Sequence, residues 1–479
     1  MLKEVLMRRI KIVCTIGPSS QDRDILLEMV RKGMNVARLN FSHGDHSEHL
    51  EKIRLLREVE EKAGECISIL QDLAGPKIRI GEIKGGGVNL ERGEKVEFTT
   101  DIEASGANTV YIDYPYLSKD VNVGDIILLA DGNIELQVTE KHKDRILCTT
   151  IVGGFLGSHQ GVSFPKSTLS VETFTEKDQR DLVFGLENGV DIVALSFVRN
   201  RSDIAKVRKF MDQHGKRLPI VAKIERREAI ENIDEIIGEA DGIMVARGDL
   251  GVEVELERVP ILQKMIIKKA NEAGKPVITA TQMLRSMIRN PRPTRAEVCD
   301  VANAIFDGTD CLMLSEETAS GEYPIDSVGF MGRIADVSEA EFPFWEWLRK
   351  GSESLWETRA STEDATSHSA TVLAKDIDAV AIVASTASGM TARLVSRFRP
   401  ECPIIAVTPY ESTLRSLNIS WGVLPVLVPV FKTTDDLFDI AAKVVLEKGI
   451  GRKGQKIVIT AGVPVGVRGK TNLLRAMEI

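Results

Sequence analysis

Lys223 and Glu225 close an apolar run from Val221 to Glu225 (VAKIE), and Arg247 and Asp249 do the same within Asp241 to Gly251 (DGIMVARGDLG). Residues two apart on an extended strand point to the same side, so each pair presents a cation and a carboxylate together. Four charges gathered at strand ends are costly to desolvate unless a ligand or metal occupies the space between them. Glu225 and Asp249 offer hard oxygens to Mg2+ or Mn2+, and Mg2+ commonly takes one or two protein carboxylates and completes its shell with substrate and water. Either stretch taken alone also fits an ordinary strand-end ion pair.

Comparable apolar runs begin at Ile10, Asn35, Cys66, Asp191, Pro219, Asp241, Pro276 and Asp310, spaced by 22 to 35 residues except for one gap of 125. Seven of them lead into helical patterning, as with Val298, Val301, Ala302, Ile305 and Phe306. Eight βα units at this spacing predict a (β/α)8 barrel. The alternative, an open doubly wound sheet, would need a Gly-rich phosphate turn or a switch point, and neither is found. A barrel collects its chemistry at the C-terminal ends of its strands. Those ends supply Arg38, Asn40 and Ser42 on one strand face, then Asp72, Lys223 and Glu225. They continue with Arg247, Gly248, Asp249, Thr281, Gln282, Ser315, Glu316 and Glu317. Arg38, Lys223 and Arg247 suit a phosphate or carboxylate, and the chemistry implied is phosphoryl or enolate chemistry on a small anion.

The long gap predicts an inserted domain over residues 73–165, where polar and apolar residues alternate between Gly- and Asp-rich turns (VEFTT, DIILLA, IELQVTE, ILCTTIV). This reads as a small all-β lid on a barrel formed by residues 1–72 and 166–340. From residue 341 a stretch with Trp345, Trp347 and Trp356, read as packing anchors, leads into a separate α/β domain over 341–479 with runs at AVAIVAS, PIIAVTP, VLPVLVP and KIVITAG. The composition, 43% hydrophobic and 28% charged in 479 residues, is that of an ordinary multidomain soluble chain. A formal net charge of -8 argues against nucleic acid as the main partner. The six cysteines are scattered without a C-x-x-C pair, as expected of reduced residues in a cytoplasmic protein. No run approaches the length needed to span a bilayer, so no membrane partner is expected.

MNVARLNFSHG, QDLAGPKIR, VAKIE, DGIMVARGDLGVE, TATQMLRSM, NPRPTRAEVCDVANAIFDGTDCLMLSEETASGEYP and the tail GKTNLL resemble the pyruvate kinases, in the same order along nearly the whole chain. The resemblance implies phosphoryl transfer from phosphoenolpyruvate to ADP and protonation of the resulting enolate to pyruvate. It implies that Glu225 and Asp249 hold Mg2+ or Mn2+, and that Lys223 and Arg38 flank the phosphoryl group, with Lys223 the main transition-state stabiliser. The substrate carboxylate would rest on the amides of Gly248 and Asp249 and on Thr281, which lies near the proton path with a Ser315-linked water as candidate donor. For Thr281 and Ser315, strand capping by the hydroxyl is the plain alternative.

Three departures from the family pattern bear on function. Members activated by K+ share a monovalent site at the positions of Asn40, Ser42, Asp72 and Leu73, with Glu in place of Lys77 and usually Thr or Ser in place of Leu73. A lysine ammonium at residue 77 supplies the charge that K+ otherwise brings, which predicts activity independent of K+ unless Lys77 simply points to solvent. His159 and Gln160 stand where many members carry basic residues near the nucleotide, so nucleotide contacts are expected from Asn40, Phe41, Ser42, His43 and Arg79. Glu316 stands where many members have Gly.

The C-terminal segment resembles the family's effector-binding domain. Its loop with Ser385, Thr386, Ser388, Gly389 and Thr391 has hydroxyls and amides suited to the phosphate of a small effector, though it also fits an ordinary strand-to-helix turn. Arg468 and Lys470 would complete such a pocket or face water. His43, His46 and His49 fall three apart and cannot all converge on one metal. The resemblance further implies a homotetramer. The rival readings are a Mg2+-dependent lyase or aldolase on a barrel, which has no use for an ADP site, and a non-catalytic effector-binding protein, against which the intact Lys223, Glu225, Asp249 and Thr281 speak.

Overall fold

A computed structural model describes residues 8–104, 109–165, 167, 169–358, 360–464 and 470–479, the side chains of 354–358 excepted. Eight parallel strands close into a barrel: β1 (Lys11–Thr15), β2 (Met34–Asn40), β3 (Ser68–Asp72), β4 (Ile192–Leu195), β5 (Ile220–Ile224), β6 (Gly242–Ala246), β7 (Val277–Ala280) and β8 (Cys311–Leu314). β8 returns to β1 with Lys11 opposite Cys311, and helix intervenes after every strand, in the case of β3 only after the inserted segment. The eight apolar runs thus become the eight staves of the expected (β/α)8 barrel. Val13, Val36, Leu70, Val221, Met244 and Ile278 fill its interior, and Ile419 from the C-terminal part joins the same packed cluster. The barrel is a core and not a pore, so polar strand-end residues have only its rims to occupy.

Helix starts carry their own signals. Asp22 accepts from Asp24 N and Ile25 N at the head of Arg23–Lys32, which ends on Gly33 at φ 107°. Asp45 caps His46–Ala63 through Ser47 N and Glu48 N. A reciprocal pair, Thr175 Oγ1 with Asp178 N and Asp178 Oδ2 with Thr175 N, opens Glu176–Asn188, and the second carboxylate oxygen takes Gly75 N at 3.0 Å from the start of the inserted segment. Thr175→Ala removes half of that box, and a loss of about 1 kcal/mol is expected as a lowered urea midpoint.

The inserted segment forms two sheets. Gly87–Leu90 pairs with Gly154–Gly157, and a six-stranded sheet runs in the order Val162–Ser163, Ile126–Leu129, Ile134–Lys141, Arg145–Val152, Lys95–Thr99, Thr109–Tyr111. Phe98, Ile127, Leu136, Ile146 and Phe164 are buried in its own core. It is not wholly β: a helical turn at Leu117–Asp120 and a 3-10 turn at Ile102–Ala104 interrupt it.

Past helix Pro324–Ala340, five further strands form one sheet: β9 (Ala381–Ser385), β10 (Ile404–Thr408), β11 (Val423–Leu427), β12 (Lys456–Ala461) and β13 (Leu473–Glu478), in the order β11-β10-β9-β12-β13 with β13 antiparallel. This sheet is fastened to the N-terminal rim of the barrel. Arg399, 1% exposed, binds Asp310 Oδ1 at 3.0 Å, Asn271 Oδ1 at 3.1 Å and the Gly308 carbonyl at 2.7 Å, with Trp421 packed 4.8 Å from its guanidinium. Lys11 Nζ donates to Val423 O at 2.8 Å. Trp347 packs against this junction and donates to Arg397 O, whereas Trp345 is exposed beneath the Lys375 ammonium; of the two expected anchors with described side chains only Trp347 packs inward, and the Trp356 side chain lies outside the described residues. Among the described residues no helix is long and apolar enough to cross a membrane.

Candidate active site

At the C-terminal rim, β2, β3 and β5 bring three charged residues into one array. Asp72, the last residue of β3, receives Arg38 Nε and Nη2 on Oδ2, both at 2.7 Å, and Lys223 Nζ on Oδ1 at 3.2 Å. Lys223 also donates to Ser196 Oγ at 2.7 Å and lies 2.9 Å from Glu225 Oε1. Glu225 Oε2 accepts from Phe197 N at 2.7 Å, so every oxygen of the two carboxylates is engaged. Asp72 and Glu225 are each 1% exposed. The spacing argument for Lys223 and Glu225 holds in a particular form: both turn toward the same rim and touch.

Burial works to lower the Lys223 ammonium, but Asp72 and Glu225 outweigh it and hold it above its ordinary value. Burial likewise opposes ionisation of Asp72, and there Lys223 and Arg38 win, leaving the carboxyl below its usual range. Glu225 is pushed upward, first by burial and then by the neighbouring charge of Asp249, against the pull of Lys223. Two carboxylates repelling one another beside an aqueous cleft, one of them desolvated, are a donor set that a hard divalent cation would relieve. The chemistry of Glu225 and Asp249 therefore fits Mg2+ or Mn2+.

Asp249 lies in the helix Arg247–Glu253 directly after β6. Thr281, just past β7, is in the left-handed region at φ 70°, as is Gln282 at 57°, and Phe197 beyond β4 at 56°. Non-glycine residues held this way store strain, which concentrates at sites whose surroundings over-determine them. Thr281 Oγ1 accepts from Gly248 N at 2.8 Å and donates to Ala280 O at 2.6 Å. Arg247, grouped by sequence with the anion binders, instead reaches Asp300 at 2.7 Å and donates to Thr281 O at 2.8 Å, so it braces Thr281 from behind. The Ser315 hydroxyl, on the neighbouring β8 end, is buried without a partner among the described residues, while its amide donates to Glu317. Glu316 is exposed.

The residues after β2 form a turn and do not continue the strand. β2 stops at Asn40, whose Oδ1 accepts from Ser42 N at 3.1 Å, so Ser42 is not on the face of Arg38 as strict alternation expected. Phe41 is buried, and at His43 partial burial and then Arg79, Lys77 and Arg38 lower the imidazole below its ordinary value. Those cations therefore lie within electrostatic reach of His43. Arg79 reaches across the inserted segment to His159 O at 3.0 Å, and Lys77, exposed, shares a cleft wall with Asp131, Phe197 and Asp249. Leu73 sends its side chain into the packing around Leu182 and Leu195, and its carbonyl accepts from Ser196 Oγ at 2.7 Å. Two residues of the array escaped the sequence reading: Ser196, and Thr15, whose hydroxyl accepts from Arg38 Nη1 at 2.8 Å. Each is a hydroxyl residue ending a barrel run, DIVALS and IKIVCT, and a search for polar strand ends on all eight runs would have found both.

The distant loop after β9 is closed on itself. Thr386 Oγ1 accepts from Gly389 N at 2.8 Å, Ser388 O accepts from Arg393, and the Thr391 hydroxyl is paired with Thr471 at 2.8 Å in the packing. Ser385 ends the strand and Lys470 is exposed, while Arg468 lies outside the described residues.

Two family models match the chain: pyruvate kinase, barrel domain, over residues 7–328 and pyruvate kinase, alpha/beta domain, over residues 364–477. A pyruvate kinase of Clostridium perfringens is 46% identical over 99% of this chain and 100% of its own length. One of Geobacillus stearothermophilus is also 46% identical, over 99% of this chain and 81% of its own. The crystal structure of a pyruvate kinase from Cryptosporidium parvum superposes with a TM-score of 0.92 at 37% identity, covering 98% of this chain and 96% of that one. With both models matched in order and full-length relatives at this identity, the chain belongs to the pyruvate kinase family of phosphotransferase enzymes.

Proposed function

We propose that the protein transfers the phosphoryl group of phosphoenolpyruvate to ADP, giving ATP and pyruvate, in a K+-independent manner. The observation that carries this reading is the array of Arg38, Asp72, Lys223 and Glu225, with Asp249 close by, at the mouth of a barrel covered by an inserted β segment. Glu225 and Asp249 would hold the divalent ion, Mg2+ or Mn2+, which when bound supplies positive charge to the phosphoryl group and the substrate oxygens. Lys223, kept as an ammonium by its two carboxylates, and Arg38, kept rigid by Asp72 and Thr15, offer fixed positive charge to the oxygens of the phosphoryl group in flight. No reorganisation of these groups is needed at the moment of transfer, since their own partners already orient them.

The carboxylate of the substrate is assigned to the Gly248 and Asp249 amides and Thr281. Because Thr281 Oγ1 occupies the Gly248 amide in this state, binding exchanges that bond for one to the substrate. Proton delivery to the enolate carbon is assigned to the Thr281 side of the mouth, where the unpartnered Ser315 hydroxyl can hold a water. Thr281→Ala is expected to lower kcat about tenfold, with a smaller rise in KM for phosphoenolpyruvate, as read in steady-state kinetics. The nucleotide is assigned to Asn40, Phe41, Ser42, His43 and Arg79. A phosphorylated small-molecule effector at Ser385 to Thr391, a homotetrameric assembly and a cytoplasmic location complete the proposal, the first requiring the Thr386–Gly389 contact to open.

The test is pyruvate formation from phosphoenolpyruvate and ADP with Mg2+. Turnover that depends on all three is expected; pyruvate released without ADP would overturn the kinase reading in favour of a lyase.

A further inference from the structure

The turn that follows β2 is held from behind at two carbonyls. Lys177, on helix Glu176–Asn188, donates Nζ to Phe41 O at 2.6 Å, and His49, on helix His46–Ala63, places Nε2 2.9 Å from His43 O. These two bonds bracket Ser42. The His49 ring lies flat against Phe41, centroids 3.9 Å apart and planes 8° from parallel, and is 2% exposed. Its Nδ1 is buried with no partner among the described residues. A carbonyl can only accept, so Nε2 carries the proton and Nδ1 is the bare nitrogen of a neutral ring. Burial supports the same state by pulling the imidazole down to about 4. Gly44 gives the turn its left-handed residue at φ 76°, a backbone conformation that favours glycine.

We propose that His49, aided by Lys177, is a positioning residue for nucleotide binding, holding the Asn40 to His43 turn by its carbonyls and so fixing where the turn meets ADP. The inference rests on the assignment of ADP to that turn. Arg38, Lys77 and Arg79 lie within electrostatic reach of His43, while the turn is tied to two helices through the Phe41 and His43 carbonyls by Lys177 and His49. A neutral imidazole is well suited here, because it contributes a directed donor without a charge that would itself attract phosphate and so compete with those cations. Lys177 is neutralised by Asp181 at 2.6 Å, and Asp181 is in turn bound by His46 at 2.8 Å. The contacts of Lys223 and Thr281 do not include His49, so the effect of losing it should fall on ADP and not on phosphoenolpyruvate.

Three substitutions separate positioning from packing. His49→Phe keeps the ring against Phe41 and removes the donor; His49→Gln removes the ring and returns an N–H at similar reach. KM for ADP and the calorimetric Kd for ADP are expected to rise about 5- to 10-fold in His49→Phe, with KM for phosphoenolpyruvate unchanged. His49→Gln should recover most of the loss. Lys177→Met, at a half-exposed position, should raise KM for ADP about threefold. His49→Phe at wild-type affinity with His49→Gln the poorer variant would assign His49 to packing and overturn the proposal. If His49→Phe does not fold, Lys177→Met decides, and an unaltered KM for ADP there overturns it. Wild-type protein that binds ADP but forms no pyruvate would instead remove the functional reading while leaving the Kd comparison to stand or fall by itself.

Discussion

Lys223→Met is expected to lower kcat by about 1000-fold, with KM for ADP little changed, because in the proposed reaction it deletes a preorganised cation aimed at the group where charge builds in the transition state. The ammonium is not free to be replaced by a neighbour. Arg38 has three of its guanidinium nitrogens committed to Asp72 and Thr15 and cannot move over without breaking them. The substitution also leaves Asp72 Oδ1 and Glu225 Oε1 buried without their shared partner. Both carboxyls then titrate upward, Glu225 the more so because burial and Asp249 already push it that way. Activity should therefore be compared at equal folded fraction, judged by circular dichroism, and added Mg2+ should not restore it. Residual kcat within tenfold of wild type would remove Lys223 from the transition state. The pH dependence carries a sign that can be checked separately. The raised value of Lys223 contributes stability that is fully present below its ordinary 10.5 and is lost only above that. The lowered value of Asp72 contributes stability present above its ordinary 3.8 and lost as pH falls below it. No activity limb between those two values should then belong to Lys223 or Asp72.

Much of this site is legible in the sequence, and the parts that are not share one cause. Lys223 and Glu225 are legible because alternation on a strand and the cost of burying charge are both local. The eight runs are legible as a barrel because their spacing repeats. What alternation does not contain is register between strands. Asp72 stands between Arg38 and Lys223 because β3 pairs with β2 so that Asn40 faces Asp72, and Ser196 reaches Lys223 because β4 lies between β3 and β5. Arg247 departs from expectation for a related reason: its residue type fits an anion, but the tertiary position of Asp300 and of the Thr281 carbonyl decides what it binds. Ser42 leaves the face of Arg38 because the Asn40 side chain caps its amide and ends the strand early. Trp345 fits an anchor by its type, yet its ring is exposed with the Lys375 ammonium 4.2 Å from its centroid, a placement that residue type alone does not reveal.

Replacing Lys77 by glutamate should convert the enzyme from one indifferent to K+ into one that needs it. Wild-type turnover in tetramethylammonium buffer is expected to match turnover with KCl at constant ionic strength. Lys77→Glu is expected to lose about 100-fold in kcat without KCl and to recover most of it on addition, since the change from +1 to −1 alters the charge by two units, each worth about 1 to 4 kcal/mol at about 4 Å between aqueous and surface-like dielectric. The oxygens that would hold a monovalent cation are already engaged from within: Asp72 by Arg38 and Lys223, the Leu73 carbonyl by Ser196, and Asn40 Oδ1 by the Ser42 amide. Lys77 forms no ion pair among the described residues, although its charge is felt at His43, which leaves it available to the phosphates. The glutamate removes that charge and adds an oxygen ligand, so K+ can now do what the ammonium did. A wild-type enzyme that turned over only with KCl would keep the kinase and discard the role of Lys77, because the cation would then be needed in spite of the lysine. A Lys77→Glu variant equally active with and without KCl would show that the side chain faces solvent throughout the reaction and that the positive charge at the phosphoryl group comes from Arg38, Lys223 and the divalent ion alone.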